Sequence, residues 1–312
     1  MKKLLIVTDG KAGHENQSKA FCNALGYDFD CVRVSYPTRV HKGLAYAADR
    51  LGILSDQLYR SESTDGFYSG VVCTGSTAFY PGKVTARRRG LPVVAILFPS
   101  GYKLDFDCIL APAFDQPPNQ PNIIAIPVNL TSTNAAFYEA GVAAFKTRHT
   151  PKGPAVALIV GGPNAIASMT ADAMRRELDR LFAATEGRER WVTTSRRTPA
   201  EVEALIDGYP FDYKLIYSRD TFNPIPAFVS LCERLFVTAD STGMLSEAVT
   251  RGQASVEVLM NLKGGASKFA RFIQGLEREG AAHVFDGTLG SASRKIDLAP
   301  ALEQARKMLG LS

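Results

Sequence analysis

Short apolar runs, each ending in a turn rich in Gly, Asp, Ser or Thr and followed by a helical pattern, recur along the whole chain. This repetition limits the fold more than any other feature. In the first half the runs are Leu4–Thr8, Cys31–Ser35, Val71–Thr74, Pro92–Leu97, Cys108–Ala111 and Ile123–Ile126. They are too short for core helices and too continuously apolar for a sheet with one wet face, which predicts buried parallel strands. Helical patterns lie over Asn16–Leu25, Val40–Leu54 and the stretch carrying Lys83, Arg87, Arg88 and Arg89. Lys146–Pro154 breaks the pattern with charge, Pro and Gly and reads as a linker. Strands then resume at Ala155–Val160, Trp191–Thr194, Lys214–Tyr217, Leu235–Val237 and Ser255–Met260, alternating with helices near Thr170–Ala184, Ala200–Ile206, Met244 to Gly252, Lys268–Glu279 and Leu298–Leu309. The expected fold is α/β, with two Rossmann-like domains at 1–150 and 151–312. The last helix is free to pack back on the first half, and ligands are expected in the cleft the two halves share.

A chain of 312 residues with 46% hydrophobic content can bury two ordinary cores. The longest apolar run, near Leu91–Pro99, is too short to span a membrane, and Asp9, Lys11, His14 and Glu15 interrupt the apolar start as no secretory signal does. Five widely spaced cysteines read as buried free thiols in a reducing compartment, so a cytoplasmic protein is expected. The net charge of +5 suits an anionic ligand or a peripheral contact with the inner membrane; without aromatics on a basic stripe it does not indicate nucleic acid.

In the second half, four strand ends carry residues that suit an anion: Gly161-Gly162-Pro163-Asn164, Ser195-Arg196-Arg197, Ser218-Arg219 and Asp240-Ser241-Thr242. In a parallel sheet these share the carboxyl edge, where open α/β folds bind ligands. Backbone at Gly161 and Gly162 approaches closely, Arg196 or Arg197 grips a diphosphate, and the helix after Ser241 offers unpaired N–H groups. Glu247 follows on that helix, placed to accept from sugar hydroxyls. Neither a dinucleotide Gly-x-Gly-x-x-Gly nor a Walker loop is present.

In the first half, Asp9, Lys11, Gly13, His14 and Glu15 form one polar loop after the first strand, where an imidazole beside carboxylates is a candidate general base. Asp105-Phe106-Asp107 matches an Asp-x-Asp metal pair but reads better as a polar strand start, and no metal is assigned. Lys83 with Arg87-Arg88-Arg89 forms a basic helix end, with a weak resemblance to a lipid-headgroup patch.

Thr8 to Gln17, Ser195 to Pro199, Asn223-Pro224 and Thr238 to Ala248 together resemble the ELM (elongated mitochondria, mitochondrial fission) family. That pattern is in turn similar to GT-B glycosyltransferases, whose two Rossmann-like domains face each other across a cleft. One comparison is the bacterial transferase that adds N-acetylglucosamine to the lipid-linked peptidoglycan precursor. Gly13-His14 matches its first loop and Glu247 its ribose-binding glutamate. Gly161-Gly162-Pro163-Asn164 departs from its Gly-Gly-Ser, and its Asp-Gln pair for the donor sugar is missing. The resemblance implies a metal-independent glycosyltransferase without cofactor, moving a sugar from a nucleotide-activated donor to a cell-envelope glycan or glycolipid. His14 and Asp9 are the expected catalytic residues, and Lys11, Gly13 and Glu15 flank the acceptor. Gly161, Gly162, Asn164, Ser195, Arg196, Arg197, Asp240, Ser241, Thr242 and Glu247 hold the donor. The alternatives are a non-catalytic scaffold of the same fold, as the fission label suggests, and a nucleotide-sugar epimerase.

Overall fold

The computed structural model describes residues 2–131, 134–264 and 267–311. The chain divides into two units, Met1–Thr133 with Asp297–Ser312, and Asn134–Ile296.

The first unit runs β1 (Lys3–Thr8), α1 (Ala12–Ala24), β2 (Asp28–Ser35), α2 (Arg39–Leu51), β3 (Arg60–Ser61), β4 (Val71–Thr74), α3 (Phe79–Arg89), β5 (Val93–Ile96), β6 (Cys108–Pro112) and β7 (Ile123–Ile126). Its strands form one sheet in the order β3-β2-β1-β4-β5-β6-β7, parallel except where the short β3 pairs antiparallel with β2. β1 is buried on both faces. Leu5 and Val7 point into the core shared with Val71, Phe79 and Tyr80, while Leu4 and Ile6 point into the core shared with Phe21, Val72 and Leu110. A continuous apolar run is the sequence's way of filling both layers at once. Thr38 caps α2, accepting from the His41 N–H, and Gly52 ends the helix in the left-handed conformation at φ +75°.

The second unit runs α4 (Ala135–Lys146), β8 (Ala155–Ile159), α5 (Ala171–Ala184), β9 (Glu189–Thr193), α6 (Ala200–Gly208), β10 (Tyr213–Leu215), α7 (Ile225–Leu231), β11 (Arg234–Thr238), α8 (Thr242–Thr250), β12 (Ser255–Leu259), α9 (Lys268–Arg278) and β13 (His283–Val284). Its sheet is wholly parallel, in the order β10-β9-β8-β11-β12-β13. The final helix, α10 (Ala299–Met308), belongs to the first unit, where Leu302, Ala305, Leu309 and Leu311 are buried against the Leu4 and Ile6 face. The α/β class and the pair of Rossmann-like sheets expected from the apolar runs are therefore present.

The division differs from the expected boundary at 150/151. Residues 147–154 do not act as a free linker, because Glu189 at the start of β9 ties them down. Its carboxylate accepts from His149 Nε2 at 2.5 Å and from the backbone N–H of Lys152 at 2.7 Å. α4, which the apolar pattern did not predict, packs on α7, and a Cβ on Gly141 would sit 2.7 Å from Pro226 Cβ. Glycine at that position lets the two helices approach. Both α4 and α7 are short and rich in small or aromatic residues, without the periodicity that marks a surface helix.

Three further expectations need correction. Asp9 to Glu15 is not one loop: Lys11 starts α1, so His14 and Glu15 lie in its first turn. Lys83 is not part of a surface patch. It is buried, donating to Asp49 Oδ1 at 2.7 Å, to the Lys103 carbonyl at 2.8 Å and to Asp105. Asp105 is thereby an ion-pair partner, and Asp107 accepts from the Val93 N–H at 2.8 Å. Of the cysteines, Cys31 is exposed and the other four are buried.

Candidate functional site

Each sheet reverses its strand order at one place: between β1 and β4 in the first unit, and between β8 and β11 in the second. The connections leave in opposite directions there and open a crevice at the carboxyl ends of the strands. The sequence-predicted polar residues fall at these two places.

At the β1 end, Gly10 adopts φ +75° and turns the chain out of the strand toward α1. Asp9 is nearly buried, its side chain 6% exposed, and its Oδ1 lies 3.1 Å from His14 Nδ1. It also accepts from the Lys11 N–H at 3.2 Å and pairs with Lys11 Nζ at 3.1 Å. Burial pushes the Asp9 carboxyl up, but the bonds from Lys11 and His14 outweigh it, and the net position is below the usual carboxylate range. An ionised Asp9 holds the imidazole with Nδ1–H toward the carboxylate and leaves Nε2 as the acceptor. The ring lies over Gly75 at the β4 end. That residue has φ +87°, and any Cβ there would collide with the imidazole. A buried hydroxyl pair, Ser18 and Thr74 at 2.7 Å, fixes α1 on β4. Glu15 is engaged with Lys19 at 2.6 Å, while Lys11 and Gly13 are exposed. Sequence reasoning missed Lys42, whose Nζ donates to Ser76 Oγ at 3.0 Å and Thr77 Oγ1 at 3.4 Å in the turn after β4. It lies on a helix whose polar residues carry no motif.

In the second unit the predicted residues largely bind one another. Asp240, its side chain fully buried, accepts from Arg197 Nη2 at 2.7 Å, the Gly162 N–H at 3.0 Å and Asn261 Nδ2 at 3.1 Å. Arg197 Nη1 donates to the Gly162 carbonyl at 2.6 Å. Ser195 Oγ and Thr198 Oγ1 both donate to the Gly161 carbonyl, at 2.8 and 2.6 Å. Asn164 shapes its own turn, accepting from Ile166 and Ala167 N–H groups at 2.9 Å and donating to the Asp240 carbonyl at 3.2 Å. A Cβ on Gly161 would collide with the Asp240 carboxylate, and one on Gly162 with the Arg197 carbonyl. The ends of β8, β9, β11 and β12 are thus braced by one polar network. Arg197 and Asp240 are members of that brace; both arginines are exposed, but they divide, because Arg196 makes no hydrogen bond or ion pair among the described residues. Asn261, after β12, had no flanking motif to mark it.

α8 leaves this brace. Ser241 caps it, accepting from the Met244 N–H at 3.3 Å, and Thr242 and Gly243 open its first turn. One turn on, Glu247 Oε1 accepts from Tyr138 OH at 2.9 Å, and Oε2 makes no hydrogen bond among the described residues. Burial raises the Glu247 carboxyl above its ordinary value, more than Tyr138 and Arg251 lower it. Tyr138 comes from α4, so it was invisible with that helix. Lys295 Nζ donates to the Ala248 and Ala254 carbonyls at 2.7 Å each and holds the far end of α8; desolvation pushes this amine down to about 8.

Among known structures, the chain is similar to the UDP-GlcNAc 2-epimerase of Methanocaldococcus jannaschii at 13% identity and a TM-score of 0.53, covering 100% of this chain and 93% of that one. It also matches Acinetobacter baumannii MurG at 13% identity and a TM-score of 0.48, over 99% and 92% of the two chains. Escherichia coli ADP-heptose LPS heptosyltransferase II matches at 10% identity and a TM-score of 0.47, over 99% and 98%. At such identities the likeness to the epimerase supports the fold and nothing finer. No curated protein matches the chain. No helix among the described residues is long and apolar enough to cross a membrane. The family described as mitochondrial fission ELM1 matches residues 12–310, nearly the whole chain, and confirms the resemblance carried by the motifs of both halves. The chain belongs to the mitochondrial fission ELM1 family.

Proposed function

We propose that this protein is a glycosyltransferase that needs no metal and moves a sugar from a nucleotide-activated donor to a glycan or glycolipid acceptor of the cell envelope. The observation that carries the reading is the Asp9–His14 pair at the β1/β4 crevice, an oriented imidazole with Nε2 free of any partner among the described residues. His14 Nε2 takes the proton of the acceptor hydroxyl as that oxygen bonds to the anomeric carbon. The bond from that carbon to the diphosphate oxygen breaks, and the nucleoside diphosphate leaves with the electron pair. In the second unit, Arg196 and the first turn of α8, with Ser241 and Thr242, neutralise the departing charge in place of a cation. Glu247, oriented through Oε1 by Tyr138, offers Oε2 to the ribose hydroxyls. Gly161, Gly162, Asn164, Ser195, Arg197 and Asp240 keep these groups in place from the brace.

The test is release of nucleoside diphosphate from a panel of nucleotide sugars, with lipid extract as acceptor and EDTA present. Wild-type protein releases it; His14→Ala and Asp9→Asn slow release by about 10²–10⁴-fold while remaining folded by circular dichroism. No release from any donor contradicts the reading, and release abolished by EDTA contradicts its metal-independent form. The fold shared with a UDP-GlcNAc 2-epimerase favours one rival, an epimerase acting on the same class of donor. Turnover of a nucleotide sugar to its epimer without any acceptor would establish that rival instead.

A further inference from the structure

Among the described residues, Phe67, Phe137, Met260 and Leu289 are exposed large apolar side chains at separate places in the chain, but the other five fall together. Val40 (68% exposed), Leu44 (50%), Leu51 (74%), Ile53 (54%) and Leu54 (38%) all lie on α2 or the turn that follows it. With exposed Ala47, the helix positions 40, 44, 47 and 51 follow the spacing i, i+4, i+7, i+11, which puts them in one stripe along the solvent side. The opposite face is already committed, since Ala45 and Asp49 are buried and Asp49 is paired with Lys83. Burial on one side and a continuous apolar ridge on the other is more than a helix needs to cover its own sheet.

Charge decides what can cover the ridge. Between Tyr36 and Ser55 the ionised side chains are Arg39, Lys42, Asp49 and Arg50, and the single carboxylate among them is the buried one. At helical spacing Arg39 and Arg50 fall along the same border of the stripe, and both are exposed, Arg50 with its Nε donating to the Gly101 carbonyl at 3.2 Å. The next carboxylate along the chain, Asp56, is paired with Arg88. A second copy of this surface would bring Arg39 and Arg50 against their own equivalents, a like-charge contact. The ridge is convex and its leucines protrude, which suits a deformable apolar layer beneath anionic headgroups.

We propose that α2 docks this protein on anionic membrane surfaces, with Val40, Leu44, Leu51, Ile53 and Leu54 entering the headgroup–acyl boundary and Arg39 and Arg50 meeting lipid phosphates. The docking is independent of sugar transfer and stands or falls without it. It also moves the expected lipid contact away from α3, where Lys83 is buried and Arg88 pairs with Asp56.

Flotation of the full chain with phosphatidylcholine vesicles, with and without phosphatidylglycerol, tests this. Wild-type protein floats with the anionic vesicles, less so as salt rises, and weakly with neutral ones. Leu44→Glu with Leu51→Glu, and separately Arg39→Glu with Arg50→Glu, each lower the bound fraction about tenfold or more. Circular dichroism and melting of these surface variants match wild type. Equal flotation of wild type and both variants, or none on anionic vesicles, overturns the proposal. So does a lipid-free dimer that Leu44→Glu dissociates, which would assign the stripe to a second copy, or retention of wild type by an acidic protein with no flotation.

Discussion

Adjacent arginines with the same charge have different duties here. Arg197 donates to the fully buried Asp240 carboxylate and to the Gly162 carbonyl, whereas Arg196 has no partner among the described residues. Removing Arg197 leaves a buried acceptor short of its strongest donor, so Arg197→Ala is expected to cost about 1–3 kcal/mol in urea melts. Arg196→Ala changes stability by less than about 0.5 kcal/mol but weakens nucleotide binding. Equal stabilities for the two variants would contradict this division. Glu247 gives a pH prediction with a definite sign. Its folded carboxyl titrates above its unfolded value, so between those two values the native state holds the proton the unfolded state has lost. Stability therefore falls as pH rises through that window, and the penalty is complete once pH has passed the folded value. Glu247→Gln keeps an acceptor for Tyr138 and removes the charge. It should be at least as stable as wild type at pH 7, lose that advantage at acid pH, and bind nucleotide less well; a variant clearly less stable at pH 7 would refute the assignment.

At the scale of elements, the two glycines after β8 do a different job from the one their motif suggests. Gly-Gly at a strand end reads as room for a diphosphate, but Gly161 makes room for the Asp240 carboxylate and Gly162 for the Arg197 carbonyl. Because the obstacle at Gly162 is backbone, Gly162→Ala has to move the end of β9. We expect a loss of roughly 1–3 kcal/mol or more, as in overpacked cores, read as a lower urea midpoint; an unchanged midpoint would mean that the loop yields. The strands were legible because continuous apolar runs have few other uses in a chain of this composition, except the two-residue β3 and β13, which are too short to make a run. α5 and α8 were legible within a few residues from their apolar period and their Thr170 and Ser241 caps, while α1, which has no side-chain cap, was legible from its period alone. α4 and α7 were not, since Gly141, Pro226 and small residues obscure any helical period. With α4 went Tyr138, the residue that orients Glu247. The Asp9–His14 pair was legible as a cluster, but its geometry depends on α1 starting at Ala12, earlier than the first apolar turn indicates.

For the whole molecule, the sequence marked two cores but put the boundary where charge, Pro and Gly concentrate. That segment is tethered by Glu189, a long-range partner no local pattern reveals. The first unit is closed by the far end of the chain, with α10 filling the face of its sheet that holds Leu4 and Ile6. Both units carry polar groups at the crevice where strand order reverses, and this placement turns a family membership into a chemical expectation. The central claim is that the second unit holds a nucleoside diphosphate through Arg196, the first turn of α8 and Glu247. Isothermal titration of a panel of nucleoside diphosphates into the intact chain tests it most directly. The account predicts one site per chain for at least one of them, weakened about tenfold or more by Arg196→Ala and by Glu247→Ala, and unchanged in His14→Ala. Heats of dilution alone across the panel, or binding indifferent to both variants, would contradict it.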